Sequence, residues 1–363
     1  MKIKAAIERI PGGLMLVPLL LGATLNTIDQ AHLPWIESAL RVMGAAPAKN
    51  GHFEFLRIGA VAAEGVPSFT ESLFKTGALT LIALFLFCVG SQMTVRIGAR
   101  ALGKGALLTG AKFIAGTLTG YAIGQLSDPF HGFLGLSTLA VVAAMTNGNG
   151  GLFAALSGQY GNRSDVGALS VLSLNDGPFF TMIALGLLGE RFPAVVFLGV
   201  LLPLAIGLVL GNLDEDIRKF LQPGEKLLVP FFAFALGAGM NLSVFAQWNF
   251  LFGGVALGLM TLFISGGAMW LALTTFSFRS RLTAFAEASA AGNATATPAA
   301  IAAAATAAGS PNATAYQGIV GIATAQISIA VILTALLCPV AVTLTDRWQR
   351  SRGIIGTEEE LRS

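Results

Sequence analysis

Only 11% of the residues in this 363-residue chain are charged, yet two carboxylates stand inside apolar sequence. Asp176 lies in Leu-Asn-Asp-Gly-Pro-Phe-Phe-Thr, and Glu287 lies in Ala-Phe-Ala-Glu-Ala-Ser-Ala-Ala-Gly. A carboxylate withdrawn from water favours its protonated form, which suits it to carrying a proton near neutral pH. Two polar interruptions accompany these carboxylates. Residues 146–151 read Thr-Asn-Gly-Asn-Gly-Gly, and residues 289–298 read Ser-Ala-Ala-Gly-Asn-Ala-Thr-Ala-Thr-Pro. In hydrocarbon a helix breaks only where the freed backbone is buried in protein or lines a cavity. A break also frees N–H groups at the start of the next half-helix, a place that suits an anion.

The residues that could bind an anion at these breaks are Thr146, Asn147, Asn149, Gly150, Asn293, Thr295 and Thr297. Asp176 and Glu287, with Asn175 beside the first, are the candidates for coupling to an ion. A blander reading stands next to this one: Gly, Ala and Thr allow close helix packing, and the two carboxylates would then simply bond backbone at the breaks. Lys112 falls about two turns inside an apolar helix, so snorkelling to the interface is its expected fate. Glu190 and Arg191 mark a loop.

The two breaks belong to a pattern that occurs twice. Residues 87–93 (FCVGSQM) and 234–240 (FALGAGM) share the frame F-x-x-G-x-x-M, 147 positions apart. Pro18 and Gly22 in VPLLLG match Pro203 and Gly207 in LPLAIG, and Gly148-Asn149 matches Gly292-Asn293. Three matches in one order indicate two homologous halves, the build of many secondary transporters, with the site where the halves meet.

Composition places those halves in a membrane. The chain is 54% hydrophobic with mean hydropathy +0.73, whereas soluble domains carry about 25% charged residues. The pattern predicts an all-α polytopic membrane protein with ten transmembrane helices, at 10–29, 69–92, 104–126, 133–160, 165–189, 193–212, 224–242, 247–275, 281–308 and 314–345. Five helices in each half form a 5+5 inverted repeat whose fourth and ninth helices are broken and cross. The first repeat covers 1–190, the second 191–350, and 351–363 is a cytoplasmic tail. Placing both termini in the cytoplasm leaves sixteen Lys and Arg inside, Lys104 among them, and five outside, as the positive-inside rule requires. The basic start before an apolar run is like a signal peptide, but the repeat needs it as its first helix. Between the first two helices the first half carries roughly 38 extra residues, around 30–68. Trp35, Ile36, Leu40 and Met43 there are spaced for a short external amphipathic helix on the interface, with an unstructured loop as the alternative.

Other chemistry is not written in the chain. Residues 98–104 resemble the start of a phosphate-binding loop, but Gly105 stands where Ser or Thr is needed. No G-x-S-x-G, H-E-x-x-H or C-x-x-C occurs, so the expectation is a protein that is not an enzyme, with no cofactor and no resident metal. The basic charge follows membrane topology, so no nucleic-acid partner is expected. Cys88 and Cys338 read as small core residues, and His32, His52 and His131 fall in loops, with no buried histidine cluster.

Several blocks resemble the bacterial 2-keto-3-deoxygluconate permeases. They are Lys2-Ile3-Lys4 with Ile10-Pro11-Gly12-Gly13-Leu14-Met15-Leu16-Val17-Pro18-Leu19, Gly135-Leu136-Ser137-Thr138-Leu139-Ala140, and Met145-Thr146-Asn147-x-Asn149-Gly150-Gly151-Leu152. Gly211-Asn212-Leu213-Asp214 and Pro230-Phe231-Phe232-Ala233-Phe234-Ala235-Leu236-Gly237 complete the set. The likeness runs from residue 2 to about 345 and departs at 30–68. It implies import of 2-keto-3-deoxygluconate with protons. It also implies a layout similar to the bile-acid/sodium symporter superfamily, in which crossing broken helices form the sites.

The reading that results is a proton symporter of a small sugar-acid anion in the bacterial inner membrane, working by alternating access. The anion would lie near Asn149 and Asn293, Thr146, Thr295 and Thr297 would contact hydroxyls, and Asp176 or Glu287 would carry the proton. In the sodium-coupled alternative, Asn147, Asn149, Asp176 and Glu287 coordinate the ion. A passive channel is the rival from another class, and concentrative uptake separates it from a symporter.

Overall fold

A computed structural model describes residues 2–9, 13–48, 51–60, 67–93, 99–126, 128–175, 177–239, 241–242 and 248–355. The described residues form helices and no strands. In chain order these are α1 (Ile3–Glu8), α2 (Gly13–Gln30), α3 (Pro34–Val42), α4 (Phe69–Phe74), α5 (Ala78–Gln92), α6 (Ala99–Leu126) and α7 (Thr138–Thr146). Then come α8 (Gly150–Tyr160), α9 (Arg163–Gly167), α10 (Leu169–Leu172), α11 (Phe179–Leu187), α12 (Ala194–Leu213), α13 (Glu215–Leu221) and α14 (Gly224–Leu227). The last are α15 (Val229–Gly237), α16 (Trp248–Met260), α17 (Gly266–Thr275), α18 (Leu282–Glu287), α19 (Thr297–Ala307) and α20 (Ala313–Arg350).

Among the described residues, four stretches are long and apolar enough to cross a membrane: Arg100–Leu126, Thr138–Tyr160, Phe250–Thr275 and Ala313–Arg350. A bent pair, Ser164–Asn175 with Phe179–Leu187, makes a fifth if it is one span. The expected stretch 69–92 is interrupted between α4 and α5, and α6 begins before its expected start, so the basic run 99–104 is helix and not loop. In the inserted segment, α3 buries Leu40 and exposes Trp35 and Val42, with Met43 exposed just after it.

The chain divides into two compact units, one of residues 1–85 with 223–247 and one of residues 86–222 with 248–363. In the first, α2 and α15 touch backbone to backbone. A Cβ at Gly22 would overlap the Phe234 carbonyl oxygen, and one at Gly237 would overlap the Leu19 carbonyl oxygen. In the second unit, a Cβ at Gly207 would overlap the Phe87 carbonyl oxygen, and one at Gly90 would overlap the Leu204 carbonyl oxygen. These are the same contacts between repeated residues. Gly22 corresponds to Gly207, Phe234 to Phe87, Gly237 to Gly90, and Leu19 to Leu204. Each Pro-x-x-x-Gly frame therefore packs on the F-x-x-G frame of the opposite half of the sequence.

The larger unit is built around two interrupted helices. α7 ends at Thr146, where Asn147 turns to extended backbone, and α8 starts at Gly150. α18 ends at Glu287, and a 3₁₀ turn, Gly292–Ala296, leads into α19. The interruptions meet: Ala143, Ala144 and Met145 share a core with Ala290, Ala291 and Ala294. On one side Leu139 of α7 packs with Ile301 and Ala305 of α19. On the other, Phe153 of α8 packs with Leu282 and Ala286 of α18. The two interrupted helices thus cross at their breaks.

Candidate functional site at the helix crossing

α6 brings a cation to the crossing. A ridge of it reads Lys104, Leu108, Lys112, Gly116, Gly120 and Gly124, every fourth residue, a row that winds slowly around the helix with near neighbours stacked one turn apart. The glycines let α7 approach: a Cβ at Gly116 would stand 3.0 Å from Met145 Cβ, and one at Gly120 would overlap Val142. Lys112, one turn before Gly116, is therefore aimed at the break, and its side chain is 0% exposed. Its Nζ donates to the Glu287 carbonyl (2.7 Å), the Ser289 carbonyl (3.0 Å) and Glu287 Oε1 (3.0 Å). The expected snorkelling is corrected. The end of α18 leaves carbonyls without helical partners in a dry place, and a buried ammonium satisfies two of them and a carboxylate at once.

The first break reaches the same carboxylate. Asn175 Nδ2 donates to Glu287 Oε1 (3.0 Å), while Asn175 Oδ1 accepts from Gly148 N (3.2 Å). A Cβ at Gly148 would overlap Glu287 Oε1, so a side chain here would displace the carboxylate from its place. Asn147 Nδ2 donates to the Ala143 carbonyl (2.8 Å), and its Oδ1 accepts from Gly177 N (2.9 Å). Thr146 hydrogen-bonds Thr181 across 3.2 Å. Asn149 caps α8, its Oδ1 accepting from Leu152 N (3.0 Å), with Gly150 next to it. Asn149, Gly150 and Asn293 are half-buried, whereas Thr146, Asn147, Asn175, Thr295 and Thr297 are buried. Thr295 bonds the Gly292 carbonyl (2.7 Å), and its own carbonyl accepts from Thr324 (3.1 Å). Asp176 lies outside the described residues. Its neighbours Asn175 and Gly177 hold Glu287 and Asn147 respectively.

Three polar atoms near the second break, Glu287 Oε2, Ser289 Oγ and Thr297 Oγ1, are buried with no hydrogen-bond partner among the described residues. Buried polar groups in proteins are almost always paired. Unpaired ones beside a charged pair mark where a proton, a water or a substrate group can be received.

A second buried pair lies two turns away along α6, about 12 Å at 1.5 Å per residue. Lys104 pairs with Asp165, both almost fully shielded from solvent, and its Nζ lies 5.2 Å from the centre of the Phe278 ring. Asp165 also forms a capping box with Asn162 at the start of α9. Lys104 is thus no loop charge, and Asp165 carries no mark in the sequence beyond a polar stretch that reads as a turn. Glu190, which marks a loop in the sequence, accepts from Asn312 Nδ2 (2.5 Å) and Ser310 Oγ (3.2 Å). It lines a cavity of about 250 Å³ with Tyr121, Phe130, Leu139 and Tyr316, at the far end of α7 from the break. Cys88 and Cys338 are buried and not joined in a disulfide.

The fold is that of a multi-pass membrane protein. It matches the structure of the sodium proton antiporter MjNhaP1 from Methanocaldococcus jannaschii with a TM-score of 0.59, over 96% of this chain and 100% of that one, at 15% identity. The sequence then narrows the class: residues 60–351 match the family model for 2-keto-3-deoxygluconate permease, and the chain belongs to that family. It is 42% identical over 341 residues to 2-keto-3-deoxygluconate permease 1 of Salmonella typhimurium, covering 94% of each chain. It is 34% identical over 367 residues to 2-keto-3-deoxygluconate permease of Escherichia coli (strain K12 / DH10B), covering 98% of this chain and 99% of that one. The protein is a transporter and not an enzyme.

Proposed function

We propose that this chain imports 2-keto-3-deoxygluconate, or a sugar acid of the same charge and size, together with a proton. The observation that carries the mechanism is the buried Lys112–Glu287 pair at the crossing, whose second carboxylate oxygen has no hydrogen-bond partner among the described residues. An ammonium shared with a carboxylate is not free for another anion. A proton on Glu287 removes the charge that holds Lys112, and the substrate carboxylate takes its place. Proton and anion then bind as a set, because either alone leaves one uncompensated charge in a dry site, a state that costs several kcal/mol. One proton with one monoanion makes the loaded site no more charged than the empty one.

Asn149, Gly150 and Asn293, half-buried at the breaks, would meet the rest of the anion, with contributions from Thr146, Asn147, Thr295 and Thr297. Asn175 holds Glu287 in register, and Asp176 remains a second proposed coupling group. Lys112 supports protons over sodium, because its ammonium already takes three of the oxygens a metal cation would need. The matched glycine contacts, and the two breaks that meet, support ten spans as a 5+5 inverted repeat that rocks between inward and outward access. The protein would lie in the bacterial inner membrane with both termini cytoplasmic.

Glu287→Gln tests the coupling role. The amide keeps size and hydrogen bonding but carries no proton across. Exchange of labelled substrate between the two sides should survive in proteoliposomes, while accumulation driven by a pH gradient should stop. Accumulation at the wild-type level would remove Glu287 from the mechanism.

A further inference from the structure

The segment between α2 and α4 brings His52 back to His32 and Glu37. His32 follows the end of α2, Glu37 lies in the first turn of α3, and His52 comes twenty positions after His32. Glu37 Oε1 lies 2.8 Å from His52 Nδ1 and 3.5 Å from His32 Nδ1. One ligand-capable atom from each of the three residues lies within 4.8 Å of the others. The two imidazoles stack, with centroids 3.6 Å apart. We propose that His32, Glu37 and His52 form a binding site for a divalent transition-metal ion, zinc foremost, that fastens the inserted segment to the end of α2.

The two spacings to Glu37 suit a metal site once the stacked rings splay to turn both lone pairs onto one ion. Zinc bonds of about 2.0–2.1 Å in a tetrahedron set ligand atoms about 3.4 Å apart, and the two distances to Glu37 bracket that value. Two imidazoles and a carboxylate suit zinc, copper or nickel, and leave one position open to solvent. Hydrogen bonding alone does not complete the cluster. His52 and Glu37 satisfy each other, but His32 Nδ1 is shielded from solvent and has no hydrogen-bond partner among the described residues.

The backbone holds the three in place before any ion arrives. His32 has φ 48°, in the left-handed region, where glycine is the usual residue after a helix. A histidine accepts that conformation here, at the point that turns its ring over His52. On the other side, the Asp29 carboxylate accepts from Phe55 N (2.7 Å) and Leu56 N (3.0 Å). This ties the chain just beyond His52 to the last turn of α2. Ala48 N also donates to the His52 carbonyl (2.8 Å). The three side chains are a quarter to two-fifths exposed, so an ion can enter. The sequence gives no sign of the cluster, because loop residues carry no periodicity that would place the histidines side by side.

The test uses the full chain in detergent, stripped of metal and of any histidine tag, and titrated with Co²⁺ at neutral pH. The expected result is one Co²⁺ per chain with the visible absorption of a tetrahedral site, displaced by Zn²⁺. His32→Ala and His52→Ala should each weaken binding by more than about 100-fold, beyond what the loss of a group supporting a ligand costs. Thermal unfolding of each variant without metal checks that the fold is retained. Binding of less than one ion by the wild type, or tight binding that persists in the double variant His32→Ala/His52→Ala, overturns the proposal. Neither result depends on transport.

Discussion

Lys112 and Glu287 should act as one unit in stability, and the structure sets the size of that coupling. Removing one partner of a buried ion pair costs about 3–5 kcal/mol, because the other charge is left alone in a poorly polarisable place. The two single variants differ in what else they strand. In Glu287→Gln the ammonium keeps the Glu287 and Ser289 carbonyls, and the new amide oxygen can still accept, so the cost belongs near about 3 kcal/mol. In Lys112→Met those two carbonyls also lose their donor, and buried unpaired acceptors cost about 1–3 kcal/mol each. That places Lys112→Met at the upper end, about 5 kcal/mol. The double variant Lys112→Met/Glu287→Gln buries no charge. Its cost should fall below the sum of the singles by at least about 2 kcal/mol, the coupling expected of residues in direct contact. Equilibrium unfolding in detergent, followed by tryptophan fluorescence, gives the four corners of the cycle. Costs that add to within about 0.5 kcal/mol would mean that the two groups do not interact, and the charge-exchange mechanism would fall with them.

Three further outcomes follow from the packing. Gly148→Ala should abolish transport at a cost of about 1–3 kcal/mol in stability, because its Cβ would overlap the Glu287 carboxylate; uptake at half the wild-type rate or better would contradict the close approach. Gly22→Val and Gly207→Val should reduce folded yield to a similar degree on size-exclusion chromatography, whereas Gly199→Val, which meets nothing within 4 Å, should not. Asn149→Ala and Asn293→Ala should each stop uptake while leaving monodisperse protein, and wild-type uptake by either would remove its break from the substrate site.

The breaks are legible because polar residues and glycines are costly inside an apolar span unless they serve a site or a close helix contact, and Glu287 is legible for the same reason. The paired glycines are visible as repeats, although only the fold reveals that Gly22 meets Phe234 and Gly207 meets Phe87. The distance of Lys112 from the helix end points the wrong way, to the interface. Its four-residue register with Gly116, Gly120 and Gly124 is the better signal, since small residues mark the face that packs on another helix. Asp165 cannot be found this way, because a short polar stretch between apolar runs looks the same whether it faces water or a buried lysine. The inserted segment hides its three convergent side chains for a related reason: contacts across an irregular loop leave no trace in residue spacing.

In the proposed mechanism one proton and one substrate anion exchange for the Lys112–Glu287 pair, so that the transported set carries no net charge. Uptake of labelled 2-keto-3-deoxygluconate into proteoliposomes, with a pH gradient, a membrane potential and a sodium gradient imposed one at a time, measures this directly. Accumulation should follow the pH gradient alone and neither of the others. Accumulation driven by sodium, or by membrane potential without a pH gradient, would contradict the mechanism.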